Sequence, residues 1–342
     1  MIKTVGIVSL SSGIIGEPFV RFETEIGIRR LEEYGLNIKF MPHALMGLDY
    51  IKAHPEKRAE DLLQAFQDPS VDMILCAIGG DDTYRLLPYL FEHDELANSV
   101  TDKVFLGFSD TTINHLMLHK VGLTTFYGQA FLPDICELSS EMLPYTRKFF
   151  EELIHTETIS EISPSYVWYE ERKSFAIDQV GKPLISHPDF GFELLQGPAL
   201  FSGKILGGCI DSIYDMFNGD RYADMPVLCE KYHLFPDPED WKGRILLLET
   251  SEEKPSPDKY RNALEHLKQT GLFEAVSGLL VGKPMDETYA QEYRLLLTQV
   301  IDRPDLPIVF NLNVGHSLPR CIIPFGINAV VDADKQLIRF CD

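Results

Sequence analysis

From Val5 to Lys120, short apolar runs alternate with longer amphipathic stretches. Val5–Val8, Ile38–Met41, Met73–Ile78 and Val104–Leu106 have the length and character of buried strands. Between them, Phe19–Tyr34, Pro55–Phe66, Asp82–Phe91 and Thr111–Lys120 carry apolar residues at helical spacing, and Gly35 stops the first of these helices. A strand–helix–strand rhythm returns the chain to the same edge of the sheet each time. The strands therefore run parallel, and right-handed crossovers give a doubly wound α/β layer.

The rhythm breaks near Pro133. From there to about Pro198 the chain is richer in Pro, Ser, acidic and aromatic residues, which predicts a crossover and a long loop. A second α/β unit begins at Phe201. Ser202–Gly208 predicts a strand and tight turn, Arg244–Glu249 a strongly apolar strand, and Ser256-Pro257 the start of a helix that Gly271 closes. Val276–Val281 and Ile308–Leu312 read as further strands, Glu287–Ile301 as a helix, and Asn328–Val331 with Gln336–Phe340 as a terminal hairpin. The expected division is residues 1–165, a linker and loop over 166–200, and a smaller unit over 201–342.

A chain of 342 residues exceeds what one core usually spans, which agrees with two units. With 31 Lys+Arg against 52 Asp+Glu the net charge is -21, a surface that repels nucleic-acid phosphates and anionic lipid. No apolar run approaches the roughly 18 residues of a membrane span. Six scattered cysteines suggest a reducing compartment, and Met1–Ser9 reads as a first buried strand rather than a leader, so a cytoplasmic location is expected.

Gly107-Phe108-Ser109-Asp110-Thr111 lies between a predicted strand and a predicted helix. A serine on such a turn projects its hydroxyl from the carboxyl edge of the sheet, where the next amides and the helix dipole favour negative charge. The same residues can simply cap a helix. Gly79-Gly80-Asp81-Asp82-Thr83 also ends a strand. Its Gly80 amide can approach an oxyanion, or the segment can be a plain turn, or it can resemble a kinase phosphate loop with Asp82 in place of a glycine. Glu249 closes a buried strand and His316 follows another. Each has a structural reading as a paired or solvated strand end. His115 and His119 are taken as helix-surface residues, since no third metal ligand is evident. Together Ser109, Glu249 and His316 fill the roles of nucleophile, orienting carboxylate and base. A nucleotide-dependent kinase and a non-catalytic binding protein are the rival readings.

At these residues the chain resembles the LD-carboxypeptidase and microcin-immunity (MccF-type) serine peptidases. The resemblance rests on Ile78-Gly79-Gly80, Gly107–Thr111, Gly203–Gly208, Leu246–Glu249 and Val314-Gly315-His316, in this order and at these separations. It implies a Ser109–Glu249–His316 triad and an oxyanion hole from the N–H groups of Gly80 and Asp110. It implies an N-terminal sheet that is flavodoxin-like and similar to class I glutamine amidotransferases, no metal or other cofactor, and a homodimer. The implied substrates are muropeptides cleaved at an L,D-peptide bond, or peptidyl and aminoacyl nucleotides. Gly79, and Trp168 in the aromatic stretch from Tyr166 to Phe192, are the implied substrate-side positions; Arg85, Lys283 and Arg320 are candidates to read a substrate carboxylate.

Overall fold

A computed structural model describes residues 1–341 of the chain. The alternation of the first part produces the expected sheet. Strands Thr4–Val8, Asn37–Phe40, Met73–Cys76, Val104–Gly107 and Thr125–Tyr127 are parallel and lie in the chain order second, first, third, fourth, fifth. A sixth strand, Ile323–Phe325, returns from the far end of the chain and pairs antiparallel with Thr125–Tyr127. Helices Arg21–Glu33, Pro55–Gln67 and Thr112–Lys120 cross over the faces. The expected helix over Asp82–Phe91 is instead a 3₁₀ turn, Thr83–Leu86, followed by a short helix, Leu87–Phe91. Pro88 lacks the amide donor that a continuous helix would need there.

The second sheet has eight strands. Its centre is four parallel strands, Leu200–Cys209, Ile245–Glu249, Gly278–Gly282 and Ile308–Leu312. The hairpin Asn328–Asp332 and Leu337–Cys341 flanks one side, and Glu193–Gln196 closes the other edge. This sheet outnumbers the first by eight strands to six. The reason lies in the segment read as loop. It contributes edge strands, Glu161–Ile162 and Glu193–Gln196, to this sheet, and it also holds the helix Pro144–Thr156 and the small hairpin Val167–Tyr169 with Ser186–Pro188.

The expected turn at Gly207-Gly208 is also corrected. The strand runs unbroken through both glycines to Cys209 and leads directly into the helix Ile210–Asn218. Gly208 has φ +134, and a Cβ there would overlap Thr112 and the Tyr127 ring. The glycine lets the second sheet come against the helix that follows the first. One continuous apolar core spans both sheets and includes Leu75, Leu106, Phe126, Leu206, Leu247 and Leu280. Burying each such side chain stabilises the fold by about 1.5–3 kcal/mol.

Candidate active site

Gly107 ends its strand opposite Tyr127, and the chain turns at once into the helix over 112–120. Ser109 sits on that turn with φ +66, a left-handed conformation that a non-glycine residue adopts only when its surroundings impose it. Phe108 before it is extended, and the Thr111 hydroxyl donates to the Phe108 carbonyl at 2.7 Å. The strained turn lifts the Ser109 hydroxyl clear of the strand end.

Glu249 ends its own strand in register with Cys209. His316 follows the strand Ile308–Leu312 after the bend at Gly315. The two sheets bring these strand ends together. His316 Nε2 lies 2.9 Å from Ser109 Oγ, and His316 Nδ1 lies 2.8 Å from Glu249 Oε2. The same Glu249 oxygen accepts the His316 backbone N–H at 3.2 Å, so the carboxylate fixes both the ring and its backbone. The Phe108 ring packs edge-on against the imidazole at 5.1 Å.

Gly79 and Gly80 lie beside the serine. A Cβ on Gly79 would sit 2.6 Å from Ser109 Cβ and 3.3 Å from the Asp110 amide nitrogen, so only glycine leaves this space open. Gly80, at φ +154, has no hydrogen-bond partner for its N–H among the described residues. The Asp110 N–H belongs to the first turn of a helix, where amides are left unpaired. The Asp110 side chain faces inward. It accepts from the Ser11 hydroxyl at 2.6 Å and from the Thr83 N–H at 3.0 Å, and burial raises its carboxyl to about 6.

That contact also bears on the phosphate-loop reading. The Thr83 amide, one of the groups such a loop would offer to phosphate, is already occupied by Asp110. Asp82 is buried in an ion pair with Arg58 at 2.6 Å. Segment 79–83 is thus braced against the serine turn.

Two residues at the site carry no sequence signal. Tyr127 is fully buried and its hydroxyl donates to Glu249 Oε1 at 2.6 Å. That hydroxyl also accepts from the Ser109 N–H at 3.2 Å and from the Thr112 hydroxyl at 3.3 Å. It ties the nucleophile's backbone to the orienting carboxylate, and burial together with Glu249 holds its proton on well above the ordinary phenol range. Glu252 is the second. Its Oε2 lies 3.0 Å from His316 Nε2, the nitrogen that also faces Ser109. Burial alone would push the imidazole down, but Glu249 and Glu252 outweigh it and raise His316 to about 10. The hydrogen bond to His316 holds Glu252 down at about 2. In this arrangement the ring carries a proton on each nitrogen. Serving as base requires Glu252 to leave, and its 57% exposed side chain leaves it free to do so.

The other expected positions fall elsewhere. Trp168 is buried and stacked on His187 at 4.4 Å, with Lys283 5.6 Å from its ring centre. It does not line the cavity at Ser109, whereas Arg221 does. Arg320 is buried and donates to Asp134, Gly315 and His316, holding the histidine loop in place. Lys283 is buried between Asp189 and Glu287, and Arg85 pairs with Asp224 and Asp82. The reading of His115 as a helix-surface residue is wrong. It is fully buried between Thr125 and the Gly107 carbonyl, and burial pushes it down to about 3. Cys209, Glu249 and His316 lie close enough together to suggest a metal site. Glu249 and His316, however, are bonded to each other, and burial holds the Cys209 proton on.

Two α/β sheets meeting at a serine turn, with an imidazole between hydroxyl and carboxylate, have the layout of a serine hydrolase. Comparison with known proteins narrows this. The family models described as the LD-carboxypeptidase N-terminal domain and C-terminal domain match residues 5–128 and 202–331. An MccF-like protein from Streptococcus pneumoniae, solved in complex with AMP, is 62% identical over 100% of this chain and 99% of its own, with a TM-score of 0.99. The microcin C7 self-immunity protein MccF of Escherichia coli is 24% identical over 84% of this chain and 78% of its own. A microcin C7 self immunity protein MccF solved in complex with aspartyl sulfamoyl adenosine shares the fold, with a TM-score of 0.80 at 21% identity over 99% of this chain and 96% of that one. A probable murein peptide carboxypeptidase of Bacillus subtilis is 23% identical over 90% of this chain and 83% of its own. The chain belongs to the LD-carboxypeptidase family of serine peptidases, as the resemblance in its motifs implies.

Proposed function

We propose that the chain is a serine carboxypeptidase that hydrolyses a C-terminal amide bond through an acyl-enzyme at Ser109. The observation that carries this is the continuous chain from Ser109 Oγ to His316 Nε2 at 2.9 Å and from His316 Nδ1 to Glu249 at 2.8 Å. Ser109 Oγ attacks the amide carbon while His316 takes its proton. Glu249 holds the imidazole in the tautomer that leaves Nε2 free, and stabilises the imidazolium that forms. The N–H groups of Gly80 and Asp110 receive the oxyanion, each worth roughly 10²–10³ in rate. His316 then protonates the leaving amine. Water, activated by the same imidazole, releases the acid.

Two kinds of substrate fit this chemistry: a murein peptide, as in the name of one relative, and an aminoacyl nucleotide, of which the aspartyl sulfamoyl adenosine bound by another is an analogue. Gly79, which keeps the space over Ser109 open, is a substrate-side position. Trp168 is a substrate-side position through the hairpin that it packs, which the Tyr169 N–H fastens to the Leu318 carbonyl at 2.9 Å. The first sheet, in the order second, first, third, fourth, fifth, is read as flavodoxin-like and similar to class I glutamine amidotransferases. Residues 1–165 carry the nucleophile and 201–342 the glutamate and histidine. The working form is proposed as a cytoplasmic homodimer.

The test is fluorophosphonate labelling with turnover of a muropeptide tetrapeptide and of an aminoacyl-sulfamoyl adenosine. The wild-type chain should be labelled at Ser109. Ser109→Ala should lose both labelling and turnover, by a factor of about 10⁴–10⁶, with an unchanged melting temperature. Near-normal hydrolysis by that variant removes the assignment.

A further inference from the structure

On the reading that the Gly80 and Asp110 amides receive the oxyanion, we propose that Ser11 is a positioning residue for this reaction: its hydroxyl, bonded to the Asp110 side chain, sets the separation of the two amides. The amides come from different loops. Gly80 follows the strand Met73–Cys76 and Asp110 follows Val104–Gly107, while Ser11 follows Thr4–Val8. These three strands are parallel neighbours, so their carboxyl ends emerge side by side. Only non-covalent contacts fix one loop against the next. An oxyanion needs both donors about 2.7–3.1 Å from one point, and a misplacement of about 1 Å can cost ~10²-fold in rate.

Ser11 makes the connection. It is buried, and its hydroxyl donates to Asp110 Oδ2 at 2.6 Å. The Asp82 N–H approaches the same hydroxyl at 3.5 Å. Ser11 also packs directly against Gly80, where an added Cβ would overlap Ser11 Oγ. Asp110 Oδ2 accepts the Thr83 N–H as well, at 3.0 Å. The residue that supplies one amide thus grips, through its own side chain, the loop that supplies the other.

The serine is in turn held from behind. Arg58, fully buried, donates to the Leu10 and Ser11 carbonyls at 3.1 and 3.3 Å and to Asp82 at 2.6 Å. The Ser12 N–H bonds the Gly79 carbonyl at 3.1 Å. The hydroxyl therefore projects from a fixed backbone. Gly80 and Asp110 line the cavity at Ser109, with Ser11 behind them, so Ser11 acts on the reaction through these two residues. Without its hydroxyl, Asp110 keeps one of the two donors and the amides lose their common brace. A ground-state carbonyl uses such donors less than the oxyanion does, so the loss falls on rate rather than on binding.

The test compares Ser11→Ala with Ser99→Ala. Ser99 is buried in the same unit and accepts from Gln67 at 2.8 Å, so its variant also loses one hydrogen bond, away from the cavity. A fluorophosphonate places a phosphonyl oxygen where the oxyanion forms, so its second-order rate of labelling at Ser109 reads both donors. Ser11→Ala should slow labelling about tenfold or more. It should lower kcat on alanyl-sulfamoyl adenosine by a similar factor, with KM within about twofold. The NMR titration of the His316 ring should stay in place, because the triad is untouched. Ser99→Ala should lower the melting temperature without slowing labelling. Ser11→Cys keeps the side-chain shape with a weaker donor and should fall between wild type and Ser11→Ala; it decides the matter if Ser11→Ala does not fold. Where the conjugate is not turned over, the labelling rates alone decide. Labelling at the wild-type rate, a loss confined to KM, or a shifted imidazole titration overturns the positioning role and leaves the hydrolase reading standing. A wild-type chain that resists fluorophosphonate at Ser109 refutes the hydrolase reading, and the proposal with it.

Discussion

Replacing Glu252 by glutamine should move the pH dependence of this enzyme. In the free chain, His316 is held protonated to about 10, from an ordinary value of 6.5, because Glu249 and Glu252 overcome the effect of burial. The Glu252 oxygen stands 3.0 Å from Nε2. At that distance a unit charge pair is worth about 1.4 kcal/mol even with the full dielectric constant of water, and about 5.5 kcal/mol at an effective constant of ~20. Glu252 is more than half exposed, so the lower figure is the safer one. It corresponds to about one pKa unit. Glu252→Gln should therefore lower the acid-limb pKa of kcat/KM by at least about one unit, and at neutral pH it should raise the rate on Nα-acetylalanyl-sulfamoyl adenosine, which carries no ammonium, up to ~tenfold. The assay is a pH–rate profile of kcat/KM, which reports the free enzyme, together with NMR titration of the His316 ring. Stability must move as well. A group whose pKa is higher folded than unfolded stabilises fully below the unfolded value, here about 6.5, and that gain fades as pH rises towards about 10. The variant should lose melting temperature below pH 6.5 relative to wild type and approach it above about pH 10. An unmoved acid limb and an unmoved imidazole titration would refute the contact between Glu252 and the ring.

Two further substitutions probe the supports of the site. Tyr127→Phe removes the 2.6 Å donor to Glu249 and the acceptor of the Ser109 N–H, leaving a buried carboxylate oxygen without its partner. It should cost about 1–3 kcal/mol in denaturant unfolding and lower kcat more than it changes KM; intact stability and kcat would make the hydroxyl incidental. Gly315→Ala places a Cβ into the Glu249 carboxylate at φ +80 and should cut kcat more than about tenfold. Gly35→Ala is the comparison, because at φ +73 it meets no atom within 4 Å and carries backbone strain alone. Equal activity in the two variants would mean that Gly315 does not position Glu249.

The parallel first sheet was legible because its cause is local. Apolar runs of strand length and helices of period 3.6 declare themselves over a few residues, as Met73–Cys76 and Thr112–Lys120 show. The serine turn was legible for the same reason, since the small residue before it and the strand and helix on either side are all within a dozen positions. Where pattern was weak, reading failed. The helix Pro144–Thr156 and the hairpin around Trp168 sit in a segment whose polar and proline-rich composition resembles loop. The role of Gly208 was invisible because the Thr112 and Tyr127 side chains that require it lie about a hundred residues away in the chain. The meeting of Ser109, Glu249 and His316 depends on two sheets docking with their strand ends aligned. Tyr127 reaches Glu249, and Glu252 reaches His316, only through that docking, each across more than sixty residues of chain. Periodicity records what a residue's near neighbours need; which far-off side chains share a cavity, and so which protons a histidine holds, is decided when the sheets pack.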